Sequence, residues 1–133
     1  MALADTMVVM NRGSIAQVGS PHQIYNRPAS EFVARFMGGH NVLNLPVGKA
    51  AVRSDHMRLA PQTGVSDGLP ATITDVEYQG TYVLLTLQAL DAAGATAVAV
   101  MVPESAFGLQ PCREVGDRVS LSWDASDVHL LAA

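Results

Sequence analysis

From Asn41 onward the chain is cut into short apolar runs by turn residues, and that spacing restricts its fold more than any other feature. The clearest runs are Ala71 to Tyr78, Tyr82 to Leu90, Thr96 to Val102, Arg118 to Trp123 and Val128 to Leu131. Gln79-Gly80, Asp91 to Gly94 and the long stretch Pro103 to Gly116 separate them. This is all-β spacing. Val119, Leu121 and Trp123 alternate with Arg118, Ser120 and Ser122, so one face of that strand is expected in the core and the other in water. Shorter candidates come first: Asn41 to Pro46, Ala50 to Arg53 and Met57 to Ala60, with Ser54 to His56 as a turn and Pro61 to Gly68 as a polar loop. Five or six such strands suit a small closed barrel.

The first 38 residues have a different character. Thr6 to Met10 reads as a short buried strand, Asn11-Arg12-Gly13 as a turn, and Ser14 to Val18 as a second strand, which together make a hairpin. Ser20 is placed to cap a one-turn helix that has Pro21 at its first position and runs to Tyr25, where Arg27-Pro28 breaks it. A second helix is expected from Ala29 or Ser30 to Met37, with Phe32, Val33, Phe36 and Met37 on one apolar face and Gly38-Gly39 ending it. These faces are large for so small a unit and call for a partner surface. The domain boundary is expected at Gly38-Gly39-His40, giving units 1–38 and 39–133.

Composition removes several function classes. With 49% hydrophobic and 15% charged residues the chain can bury a core. A net charge of −4, scattered Lys and Arg, and 5% aromatic residues offer neither a basic footprint nor stacking platforms, so nucleic acid is not an expected partner. Cys112 is the only cysteine, which rules out an internal disulfide and a thiolate metal cluster. No apolar stretch is long enough to span a bilayer, and Asp5 interrupts what would be a signal core, so direct membrane insertion is not expected.

Leu3-Ala-Asp5, then Met7-Val-Val-Met-Asn-Arg-Gly-Ser-Ile-Ala-Gln-Val-Gly19, Pro21-His-Gln-Ile-Tyr-Asn-Arg-Pro28 and Phe32-Val-Ala-Arg-Phe-Met-Gly38 resemble, without a gap, the end of the nucleotide-binding domain in ATPase subunits of bacterial ABC importers. The remainder resembles the transport-associated OB-like (TOBE) domain that follows in the same subunits. Val52-Arg-Ser-Asp-His-Met-Arg-Leu59 is similar to that family's V-R-P-E-x-x-x-L turn, with Ser54 in place of the usual proline, whose fixed φ is lost. Ala71 to Gly80 and Gly116 to Trp123, with Asp127-Val-His129 close behind, look like its strand-turn-strand and final hairpin. Phe36-Met-Gly-Gly-His-Asn-Val-Leu43 and the single short barrel bring it nearest to the spermidine/putrescine and ferric-iron importers; sugar-importer ATPases carry a longer regulatory domain.

The resemblance implies a mainly β fold: an OB-like barrel of five to six strands preceded by a hairpin and two short helices. It further implies a C-terminal fragment of a subunit that works as a homodimer, binds ATP and Mg2+, and couples hydrolysis to import through transmembrane permease subunits at the cytoplasmic face of the inner membrane. The phosphate-handling groups of such an ATPase are a glycine-rich loop with Lys and Ser or Thr, an acidic strand end for Mg2+, and a polarising His. None is encoded here: Lys49 is the only lysine, no G-x-x-x-x-G-K-[ST] occurs, and the family's switch His would fall before Met1. The fragment itself is therefore expected to be no enzyme, with no catalytic, cofactor-binding or metal-binding residue and a regulatory and dimerisation role.

Other residues that invite chemistry have plainer readings. His22, His40, His56 and His129 sit in four different elements without ligand spacing, which favours structural or solvent-exposed roles over a metal site. Asp75 and Glu77 share a strand face and could bind cations or move protons; a solvated strand edge is the preferred reading. Cys112, after Pro111 and with no nearby His, reads as inert. Arg12-Gly13 and Gln79-Gly80 read as turn dipeptides rather than phosphate contacts. Trp123 reads as core, whereas Tyr78 and Tyr82, flanking a turn, are open between packing and lining a ligand groove. The alternative function is an OB-like module sensing a small ligand, although the short repeat of molybdate-binding relatives is lacking. The unpartnered hairpin and the Phe32/Phe36 face lead to a further expectation, that two copies pair.

Overall fold

The computed structural model describes residues 6–61, 68–110 and 113–131. Cys112, Leu3-Ala-Asp5 and most of the Pro61 to Gly68 loop lie outside the described residues.

Strands β1 (Met7–Asn11) and β2 (Ser14–Gly19) form the expected hairpin. Arg12 and Gly13 both take positive φ, 51° and 83°, as a two-residue turn matched to strand twist requires. A bulge between Val9 and Met10 leaves Val8 opposite Val18 and Met10 opposite Ile15. Helix α1 (Pro21–Asn26) opens with a full capping box: the Gln23 amide donates to Ser20 Oγ (3.1 Å) and the Ser20 amide to Gln23 Oε1 (3.0 Å). Helix α2 (Glu31–Met37) is capped by Ser30 and stops at Gly38, φ 76°.

The apolar face of α2 is only partly covered. Val33 and Ala34 are its buried residues, while Phe36 is 59% exposed and stacks on Phe32 at 6.1 Å between ring centroids. The helix lies in the angle between two cores, and its inward edge is the one that reaches both. Val33 joins Val9 and Ile24, and the small Ala34 fits against Val42 and Ala51.

The rest is antiparallel sheet, in keeping with the OB-like, mainly β expectation. Strands β3 (His40–Leu45), β4 (Gly48–Arg53) and β10 (His129–Leu130) form one sheet, ordered β10-β4-β3. The second contains β5 (Arg58–Pro61), β6 (Leu69–Tyr78), β7 (Tyr82–Asp91), β8 (Gly94–Pro103) and β9 (Arg118–Ser122), ordered β5-β9-β6-β7-β8. Between them lies the main core, built from alternating residues such as Val83, Leu85 and Leu87 of β7 with Val98 and Val100 of β8.

Two short helical pieces complete the chain: α3 (Glu104–Phe107), anchored by buried Phe107 within the stretch Pro103 to Gly116 read as separating two strands, and a 3-10 turn at Ala125–Asp127 between β9 and β10. Ser120, expected on the wet face of β9, is buried. β9 lies inside its sheet, and the chain at Gly68 passes so close that a Cβ there would run into Ser120 and the Leu121 carbonyl.

Candidate functional site

A polar cleft of about 430 Å3 opens where the end of α1 meets the three-stranded sheet. Antiparallel pairing builds it. His40 pairs with Arg53 across β3 and β4, and His129 pairs with Ala51 across β10 and β4, so residues far apart in the chain arrive on one wall. Asn26 and Arg27 close the cleft from the N-terminal segment, and the turn after β4 adds His56.

Arg53 is the hub of this junction. Its guanidinium donates to both oxygens of Asp55, from Nε at 2.9 Å and from an Nη at 2.7 Å, and its other Nη donates to Asn26 Oδ1 at 3.1 Å. The same group lies 4.8 Å from the centre of the Tyr25 ring. Asp55 raises the Arg53 pKa further above its usual range, against the opposing effect of burial.

The histidines play different parts. His129 Nε2 lies 2.8 Å from the Pro28 carbonyl, which can only accept, so this nitrogen carries the proton. His56 Nδ1 lies 3.1 Å from Asp127 Oδ1. His40 packs against Tyr25, centroids 5.0 Å apart, with both ring nitrogens buried and lacking a well-oriented hydrogen-bond partner. Burial holds the His40 pKa below the usual histidine range; the neighbouring Tyr25 backbone opposes this, and the charges of Arg53 and His129 reinforce it. His22 lies elsewhere, exposed, beside Asn26 on the same helix. Three of the four histidines thus share one cleft although nothing in their sequence spacing points to it. Among the described residues no group of three His, Cys, Asp or Glu is arranged to hold a metal ion.

The other candidates are dispersed. Asp75 and Glu77 are exposed on β6, beyond a bulge between Ile73 and Asp75. Trp123 packs partly buried on the main core. Tyr78 meets buried Phe107 edge-on at 5.7 Å, and the Tyr82 hydroxyl donates to Gln79 Oε1 at 2.8 Å across the Gly80 turn, where φ is 84°. Lys49 reaches from β4 to Glu31 of α2, 2.8 Å, a further polar tie between the two parts of the chain. Lys49 first and Arg35 second lower the Glu31 pKa. No helix among the described residues is long and apolar enough to cross a membrane.

Residues 50–131 match the family described as the TOBE domain, and the chain belongs to that family. Its relatives include import ATP-binding proteins. It is 35% identical over 152 aligned residues to the Fe(3+) ions import ATP-binding protein FbpC of Streptomyces avermitilis, covering 98% of this chain and 41% of the relative. For FbpC of Streptomyces coelicolor the identity is 37% over 149 residues, with 98% and 40% covered. For the spermidine/putrescine import ATP-binding protein PotA of Bacillus thuringiensis it is 29% over 129 residues, with 96% and 38% covered. The chain spans about two fifths of the length of these relatives. The likeness to importer ATPase subunits read from the motifs is thus a relationship along nearly the whole chain.

Proposed function

We propose that this chain is the non-catalytic regulatory and dimerisation end of the ATP-binding subunit of an importer. Residues 1–38 are the last part of its nucleotide-binding domain and 39–133 its TOBE domain. The observation that carries this reading is the two-sided hairpin. One face, with Val9, packs on α1 and α2. The other presents Val8, Met10, Ile15 and Val18, each between 48% and 63% exposed and brought together by the strand register. A strand pair apolar on both faces belongs in the interior of a larger α/β domain. ATP and Mg2+ would then be bound by the remainder of that domain. The subunit would act as a homodimer with transmembrane permease subunits at the cytoplasmic face of the membrane, and iron and polyamine import in its relatives indicate the class of solute.

A chimera tests this. Joined to the complementary part of Streptomyces coelicolor FbpC, the chain should yield a subunit that hydrolyses ATP, while the chain alone should not. Val8→Asp with Ile15→Asp should abolish assembly of the chimera. ATP turnover by the chain alone, or a chimera indifferent to those two substitutions, would overturn the reading.

A further inference from the structure

Tyr25 of α1 sits in a seat built by the first residues of the barrel and a residue of the strand opposite. Its ring packs on His40 at 5.0 Å between centroids and lies 4.8 Å from the Arg53 guanidinium. Its hydroxyl comes so near Gly39 that a Cβ there would stand 2.9 Å from it. Ser54 pins that glycine, donating to its carbonyl from the amide at 2.9 Å and from Oγ at 3.3 Å. His40 and Arg53 are opposite residues in the β3–β4 pairing, which is why both flank one ring.

This seat suits His40 only as the neutral ring. Both its nitrogens are buried without a well-oriented hydrogen-bond partner, so an imidazolium would bring a charge and two N–H donors into a place that satisfies neither. It would also set a second cation directly across the strand pair from Arg53, an arrangement that destabilises a sheet. The other groups that can carry positive charge here are Arg27 after α1, His56 in the turn after β4 and His129 of β10. The carboxylates are Asp55 of that turn and Asp127 of the 3-10 turn, and both are engaged, Asp55 by Arg53 and Asp127 beside His56. Burial first, then the charges of Arg53 and His129, outweigh the favourable Tyr25 backbone and Asp55, and the His40 pKa is lowered from 6.5.

We propose that His40 is a proton-operated latch between α1 and the barrel: the neutral ring keeps Tyr25 seated, and uptake of a proton unseats it. Once Tyr25 leaves, water reaches both nitrogens and solvates the imidazolium. The open form then binds the proton as an ordinary histidine does, and the closed form resists it. The open population therefore rises as pH falls below 6.5. Helix α2 keeps its own contact, Ala34 against Val42 and Ala51, which confines the release to the α1 side of the junction. The latch rests on these contacts alone and would survive failure of the chimera.

The experiment is an NMR titration of the full 133-residue chain from about pH 8 to about pH 5. It follows the imidazole protons of His40, the nuclear Overhauser cross-peak between the Tyr25 ring and the Gly39 α-protons, and the β7 amides as a control for the barrel. The cross-peak should be present at about pH 8 and be lost in step with protonation of His40, while the β7 amide shifts stay native. In His40→Phe, which stacks on Tyr25 and takes up no proton, it should persist to about pH 5. His129→Gln, which can still donate to Pro28, should leave the release in place. The wild-type titration alone decides the matter should His40→Phe fail to fold. A cross-peak that survives protonation of His40, a loss that tracks another histidine, or β7 shifts lost at the same pH would each overturn the proposal, as would release in a folded His40→Phe chain.

Discussion

The side chain of Asn41 pairs with the backbone of Ala99 as a neighbouring strand would: Nδ2 donates to the Ala99 carbonyl at 2.7 Å and Oδ1 accepts from the Ala99 amide at 2.8 Å. Asn41 is 5% exposed and belongs to β3; Ala99 lies on β8, at the edge of the five-stranded sheet. The amide side chain therefore supplies the missing strand where the barrel would otherwise have an open seam. The Met101 amide donating to the Ser54 carbonyl and the Ala92 amide to the Asn44 carbonyl, both 2.9 Å, extend the same closure.

Asn41→Ala should be among the most damaging single changes in the barrel. It leaves the Ala99 amide and carbonyl without their partner, and an unsatisfied buried polar group costs about 1–3 kcal/mol. A loss of about 2–5 kcal/mol is expected in urea unfolding. Asn41→Asp should retain only the amide contact and fall in between. A loss below about 1 kcal/mol for Asn41→Ala would remove the closure role.

Ser54 stands where the related V-R-P-E turn has proline, and the structure shows what the replacement contributes. Its amide donates to the Gly39 carbonyl at 2.9 Å and carries the β3–β4 pairing one step further. Proline has no such donor. Ser54→Pro should therefore destabilise this chain by about 1–2 kcal/mol despite restoring the familiar residue, whereas Ser54→Ala should cost less. Paired thermal melts decide the order.

Much of the fold could be read from local rules, and most of the junction could not. Ser20 and Pro21 announce α1, Gly38 ends α2, and the alternation in β7 marks its buried face. α3 was legible in principle, since Pro103, Glu104 and the apolar pair Ala106 and Phe107 make a helix start. Burial of Ser120 depends on Gly68 crossing over it, which no pattern within β9 encodes. The cleft exists only through register. His40 and His129 meet because β3 and β10 flank β4, a long-range pairing invisible to spacing along the chain. The choice of Val33 and Ala34 over the phenylalanines depends likewise on two separate cores meeting at one helix.

His40 should make the fold sensitive to mild acid. Its folded pKa lies below the unfolded value of 6.5, so the native state favours the neutral ring. This contribution is fully present above pH 6.5 and is lost as pH falls toward the lower folded value. Thermal stability should drop through that window, and His40→Phe, which keeps the packing on Tyr25, should flatten the drop. Asp91 acts at lower pH. Burial works against its charge, but hydrogen bonds from the Asn44 and Ala93 amides and from the side chains of Thr96 and Asn44 outweigh it, and its pKa is lowered from 3.8. An unchanged acid slope in His40→Phe would count against the His40 assignment.

Arg53 offers the most direct way to separate the two parts of the chain. Its fork on Asp55, its bond to Asn26 and its position over Tyr25 need a planar group with donors on several edges, which lysine lacks. The side chain is partly exposed, so solvent moderates the ion pair, and Arg53→Lys should cost only about 1–2 kcal/mol globally. The local effect should be larger. The bond to Asn26 and the ring contact with Tyr25 tie α1 to β4, leaving the His129 bond to Pro28 and the Lys49 pair with Glu31 as the other polar links seen among the described residues. Amide hydrogen exchange in Arg53→Lys should therefore accelerate in α1 while β7, in the main core, keeps its protection apart from the global loss. Equal acceleration in both would mean that Arg53 stabilises the barrel itself rather than holding the N-terminal segment to it.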